Sequence, residues 1–188
     1  MPKLHIIIGS TRPGRLGPAV ARWIHDYAQS HGKFEAELVD LADFNLPIYD
    51  EPKSPRLKDY QHEHTRRWAA SVDAADAFVF VAPEYNYMPS PALVNALDFL
   101  YHEWNYKPAG IASYGGVAAG ARAGNLLRIH LSTLKMMPIP EGVLAPMVAS
   151  LIDKDTGAFQ TNDLITTSAK AMLDELSLWT EALKSLRS

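Results

Sequence analysis

Residues 4 to 20 read "LHIIIGSTRPGRLGPAV", an apolar run that empties into a loop of Gly, Ser, Thr and Arg and closes on Gly17 and Pro18. The run "LHIII" has the length and β-branched content of a buried strand. Behind the loop, Val20, Trp23, Ile24 and Tyr27 recur at helical spacing, and Pro18 suits the first turn of a helix. The stretch therefore reads as strand, loop, helix, the unit from which parallel sheets are built.

Working outward, "AFVFVA" at 77 to 82 is a second apolar run, and "FEAELVDL" at 34 to 41, "AGIASY" at 109 to 114 and "KMMPI" at 135 to 139 supply further strands, the last an ambiguous one. Helical stripes lie between them. Leu93, Ala96, Leu97, Leu100 and Tyr101 form one, Ala123, Leu126, Leu127, His130 and Leu131 another. A weaker stripe joins Leu57, Tyr60, His64, Trp68 and Val72, and Met172, Leu176, Trp179 and Leu183 mark a last helix. Five strand-helix units account for most of the 188 residues, which predicts one domain over 1–188, a doubly wound α/β sandwich. In such a sheet, ligands lie beyond the carboxyl ends of the strands where the strand order reverses.

Three loops at those ends carry unusual sequences. In the first, Ser10 and Thr11 offer hydroxyls, Arg12 and Arg15 offer charged donors, and the helix opening at Gly17 presents aligned backbone amides. That set suits a phosphate. The same glycines also fit a plain tight turn with solvated arginines, so the other loops decide. The loop is not a Walker loop, because Arg15 and Leu16 stand where Lys and Ser or Thr are needed, and the chain has no G-x-G-x-x-G fingerprint. The absence of cysteine excludes a thiol nucleophile, disulfides and Cys-held metal. A flavin monophosphate is one anion that fits what is left.

The second loop, in "PEYNYMPSPALVNALDFL" from 83, sets Pro83, Glu84, Tyr85, Asn86 and Tyr87 after a strand. Asn86 and the Pro83 backbone can meet the polar edge of a planar ring, and Tyr85 or Tyr87 can lie on its face. Glu84 either tunes ring protonation or positions backbone. The third, in "ASYGGVAAGARAG" from 112, places Ser113, Tyr114, Gly115 and Gly116 where amides can approach the same ring, or where Tyr114 simply packs a turn.

Three segments, "GSTRPGR", "PEYNYMPSPALVNALDFLYHEW" and "KPAGIASYGG", resemble the NADPH-dependent FMN reductase and quinone reductase family, over residues 3 to about 130. The resemblance implies a flavodoxin-like three-layer sandwich on a five-stranded parallel sheet of order 2-1-3-4-5. It further implies non-covalent FMN, reduction by NADPH or NADH, and transfer to quinones, free flavin, azo dyes or metal oxyanions. Aromatic, Gly-rich loops around one ring site, with no cysteine or metal motif for a second redox centre, predict that donor and acceptor take turns there. It places the phosphate on Ser10, Arg12 and the helix start at Gly17, Pro18, Ala19 and Val20. Relatives often carry a second Ser where this chain has Arg15, so a charged donor replaces a hydroxyl. The isoalloxazine would lie among Pro83 to Tyr87 and Ser113 to Gly116. A homodimer or homotetramer is implied as well. A flavodoxin-like electron carrier and a flavin redox sensor stand as competing readings.

Other features point to structure. The charge balance, 18 Lys and Arg against 21 Asp and Glu, forms no basic tract for nucleic acid. No segment is apolar over a membrane span, which with the missing secretory pattern predicts a cytoplasmic protein. His62, Glu63 and His64 lack metal spacing, since residues two apart on a helix face apart. His102 and Trp104 read as a helix end and a packing surface.

Overall fold

A computed structural model describes residues 1–187. Strand β1 (Lys3–Ile8) is followed by α1 (Gly17–His31), β2 (Glu35–Asp40), α2 (Glu63–Asp73), β3 (Ala77–Tyr85), β4 (Met88–Pro89), α3 (Pro91–Asp98), β5 (Pro108–Tyr114), α4 (Ala121–Thr133), β6 (Met137–Ala145) and α5 (Asp163–Ala182). The main strands run β2-β1-β3-β5-β6, all parallel, and the two-residue β4 hairpins back on β3. Counted without that hairpin, the order is the expected 2-1-3-4-5.

Period-two alternation sends successive side chains to opposite faces of the sheet. Leu4, Ile6 and Ile8 of β1 join Val79 and Val81 of β3 under α1 and α5, where Val20, Ile24, Met172 and Leu176 meet them. Ile7, Phe78 and Phe80 face the other way, onto Trp68, Leu97, Leu127 and Leu131 of α2, α3 and α4. Both faces are thus buried, which is why the strands read as continuous apolar runs.

The structure adjusts four expectations. The ambiguous "KMMPI" opens β6, an edge strand where Pro138 and Pro140 are tolerated because an edge leaves amides unpaired. Leu57 and Tyr60 do not belong to α2, because a separate 3-10 turn at Pro55–Leu57 ends in Lys58 with φ 51. Trp104 is a core residue under β3, stacked edge-on against Phe78 at 5.0 Å, while His102 bonds the Arg56 carbonyl at 2.7 Å instead of its own helix end. His62 lies outside α2 in extended backbone, so its ring stacks on His64 at 5.2 Å and both imidazoles reach Asp50; no group of metal-binding side chains is present among the described residues.

Lys107 is buried before β5, with its ammonium donating to the carbonyls of Val72 at 2.9 Å and Asp73 at 3.1 Å at the end of α2. Burial pushes its pKa down from 10.5 to about 8, against the opposing pull of Asp73. A lysine whose pKa falls on folding leaves the unfolded chain binding more protons between those values, so stability rises with pH across that window. Urea unfolding of the wild type and Lys107→Met at pH 7.5 and pH 10 should show the difference move toward the wild type by on the order of 1–3 kcal/mol. An unchanged difference would mean that the ammonium is well solvated.

Candidate functional site

The loops after β1, β3 and β5 converge at the carboxyl edge of the sheet, on either side of the place where the order reverses between β1 and β3. Arg12, Arg15, Leu16, Pro83, Glu84, Tyr85, Tyr114, Gly115 and Val148 line a groove there of about 190 Å³.

Its floor is the start of α1. A helix N-terminus carries roughly half a positive charge and unsatisfied amides. Elsewhere the protein supplies its own acceptors. Glu51 takes the amides of Gln61 and His62 before α2, Ser90 takes Leu93 in α3, Glu84 takes Arg122 and Ala123 in α4, and Asn162 takes Ile165 in α5. At α1 the capping position is Leu16, with no side-chain cap and no acid in the first turn. Helix α2 likewise lacks a side-chain cap, because the Glu51 bonds fall on the two residues before it, but its first turn carries Glu63; among the described residues, α1 is the α-helix with neither an acceptor at its first amides nor an acid in its first turn.

Ser10 is buried beside this end, its hydroxyl 2.7 Å from the Tyr85 hydroxyl, and the Arg12 guanidinium lies 5.9 Å from the Tyr85 ring centre. Tyr114 reaches across from β5. A Cβ on Gly17 would stand 2.8 Å from the Tyr114 hydroxyl, so the absence of a side chain there is what lets the phenol sit on the helix start. Burial drives the Tyr114 pKa upward, the Tyr85 phenol adding to it and a bond from Ser10 opposing, so the group is a neutral hydroxyl through the physiological range. Arg15 is engaged otherwise than expected: its guanidinium pairs with Asp40 at the end of β2. Pro18, Ala19 and Val20 continue the first turn of α1, with Val20 in the core.

In the second loop, Asn86 and Tyr87 have φ of 51° and 73° and form the tip of the β3–β4 hairpin. Pro83 still belongs to β3, where it pairs with Tyr114, and Glu84 turns toward α4. Ser113, near the end of β5, donates to the Ala119 carbonyl at 3.0 Å and so ties the third loop back to the strand. Gly115 donates to Ala145 at 3.3 Å, while Gly116 has open space where a Cβ would stand. Of the residues chosen from sequence, Ser10, Arg12, Arg15, Gly17, Pro83, Glu84, Tyr85, Tyr114 and Gly115 come together, Arg15 and Glu84 with their charges already paired within the protein, while Ser113 is bonded to its own loop and Val20 lies in the core.

Sequence reasoning missed three contributors. Ser90 both caps α3 and bonds the Gly9 carbonyl, joining the first two loops. Val148 arrives from the segment after β6, whose amides at Met147 and Val148 bond Gly116 at 2.9 Å and Gly115 at 3.0 Å. Gly120 precedes α4 with φ 77°, and a Cβ there would lie 2.8 Å from Tyr114 backbone atoms. The Ser-Pro pair and the Gly-Ala-Arg helix start carried the first and third signals.

Residues 2–149 match the family of NADPH-dependent FMN reductases. An NAD(P)H-dependent FMN reductase of Schizosaccharomyces pombe is 43% identical over 141 residues, 74% of this chain and 70% of that one. A quinone reductase of Pseudomonas putida is 29% identical over 182 residues, 93% of this chain and 92% of its own. Among solved structures, FerB, a flavoenzyme NAD(P)H:(acceptor) oxidoreductase of Paracoccus denitrificans, superposes with a TM-score of 0.74 at 22% identity, over 97% of this chain and 98% of that one.

The two glycines of the third loop should respond oppositely to alanine. Gly120→Ala meets backbone at 2.8 Å in a left-handed conformation and should destabilise by about 2 kcal/mol or more. Gly116→Ala enters open space and should stay within about 0.5 kcal/mol of the wild type. Paired denaturation curves decide this, and equal losses would discredit the loop geometry.

Proposed function

Since the chain belongs to the NADPH-dependent FMN reductase family, we propose that its FMN phosphate rests on the start of α1 and its ring between the 83–87 and 113–116 loops, with NAD(P)H and a quinone or similar acceptor taking turns at the exposed ring. The protein is an oxidoreductase. One observation carries the placement: α1 presents a positive end beside Ser10 and Arg12 with neither an acceptor nor an acid in its first turn, while every other α-helix start among the described residues has one or the other.

The donor set fits a phosphate monoester. Backbone amides, the Ser10 hydroxyl and the Arg12 guanidinium can each meet one oxygen, and the Arg15–Asp40 pair keeps a second cation nearby without adding net charge. Pro83 has no N–H, and the hairpin turn at Asn86 and Tyr87 follows two residues beyond it, so the backbone of this loop would meet the ring edge. The exposed Tyr87 and the unobstructed Gly116 leave one side of that site open to a second planar molecule. When bound, FMN supplies the site for hydride from NAD(P)H and passes two electrons to the acceptor. What the protein contributes is proximity, holding donor and ring at a near-attack separation of roughly 3 to 3.5 Å.

A homodimer or homotetramer belongs to the same reading, with the exposed Ile129 and Leu126 of α4 as apolar surface for such contact.

Arg12→Ala should weaken FMN by about tenfold or more, the usual effect of losing a hydrogen bond to a charged group, and leave riboflavin affinity unchanged. Calorimetric titration of both flavins into stripped protein tests it. Equal loss for the two would move Arg12 away from the phosphate.

Initial rates with NADPH and a quinone should give parallel double-reciprocal lines, and anaerobic NADPH alone should bleach the bound flavin before any acceptor is added. Intersecting lines, with no bleaching by NADPH alone, would replace alternating occupancy by a ternary complex.

A further inference from the structure

The hairpin tip between β3 and β4 is built from residues that its conformation disfavours. A two-residue hairpin turn with both central residues left-handed wants Asn followed by Gly. Asn86 suits the first place, but the second is Tyr87 at φ 73°, where an aromatic side chain is out of its preferred backbone region. Tyr87 is 61% exposed, so burial does not hold it there. Its ring instead carries the Arg122 guanidinium 4.2 Å from its centre.

The same arginine grips the base of the hairpin. Glu84, only 11% exposed at its side chain, takes Arg122 Nη1 at 3.0 Å on one oxygen, and the amides of Arg122 at 3.1 Å and Ala123 at 3.3 Å on the other. Hairpin base, hairpin tip and helix start therefore meet at one side chain. The third loop is caught between them, since the Cβ position of Gly115 lies 3.7 Å from Glu84 Cβ and Gly120 leads directly into α4. An isolated surface ion pair contributes little to stability, and Arg122 is half exposed and belongs to neither core cluster. What it does join are the two walls of the groove.

We propose that Arg122 is a positioning residue that locks the 84–88 hairpin to the start of α4 and thereby fixes both walls of the ring site. The proposal rests on the reading that the ring lies between those walls. The lock acts on the ring alone, because the phosphate donors sit on the loop after β1 and the start of α1, away from the hairpin and α4.

Two measurements test it. In the flavin-free protein, Arg122→Gln should speed amide hydrogen exchange in 84–88 and 114–122 by tenfold or more with circular dichroism unchanged, while Arg66→Gln, which removes an exposed pair with Glu63 on α2, should change neither segment. In titrations, Arg122→Gln should lower affinity for FMN and for riboflavin by the same factor, about tenfold, and Arg122→Lys should recover part of it by keeping the charge without the planar stack. Unchanged exchange would overturn the lock, and a loss confined to FMN would make Arg122 a phosphate ligand instead. Should Arg122→Gln not fold, Glu84→Gln removes the charge from the other side of the same pair and gives the same two readouts. If the wild type binds no flavin, the reading of the site fails while the exchange result still decides the lock.

Discussion

The parallel pairing of β1 with both β2 and β3 is the constraint on which the molecule depends. Because β1 has a neighbour on each side before the chain moves on, α1 packs on one face of the sheet and α2 and α3 on the other. The connections leaving β1 and β3 then diverge, and a crevice opens between them at the carboxyl edge. Everything that reads as functional lies at that crevice: the Ser-Thr-Arg loop after β1, the hairpin after β3 and the glycine loop after β5. The opposite edge is closed by local contacts, such as Asp76 bonding the Lys3 amide at 2.9 Å and Lys107 reaching the end of α2.

Helix ends at this edge compete for acceptors. The protein satisfies α3 and α4 from within, by Ser90 and Glu84, and those two side chains are also the ones that tie neighbouring loops together. Capping and positioning are thus one event: a carboxylate or hydroxyl that finds helix amides fixes the loop that carries it. At α1 no such side chain intrudes, and Asp40 at the end of β2 is held by Arg15. The positive end of α1 is consequently left without a protein acceptor, with the field of Arg12 added to it.

Much of this was legible in the order of residue types. The strand runs of β1, β3 and β5 were visible because both their faces are buried, and the anion loop because Gly, Ser and Arg between a strand and a helix have few other uses. What escaped the sequence is partnership across the fold. Arg15 and Asp40 lie 25 residues apart, and Glu84 and Arg122 lie 38 apart, so neither pairing is written in local spacing. The short β4 escaped because two residues have no periodicity, and His62 was misplaced because extended backbone at a helix start turns a side chain to a face that helical spacing forbids. Trp104 read as a surface for packing, yet it fills the space under Phe78 and Phe80.

The groove's own chemistry limits what its residues can do for a reaction. Among the side chains lining it, Glu84 is the one carboxylate, and both of its oxygens are already taken by α4 and Arg122. Tyr85 bonds Ser10, and Tyr114, its pKa raised by burial, lies over the start of α1, so both phenols belong to the anion end. No imidazole lines the groove. Under the proposed seating of a ring between the second and third loops, the groove would thus offer it no unengaged carboxylate or imidazole to move a proton. Rate then depends on alignment, which places the burden on the loops' rigidity and on the side chains, Ser90, Glu84 and Ser113, that hold them in place.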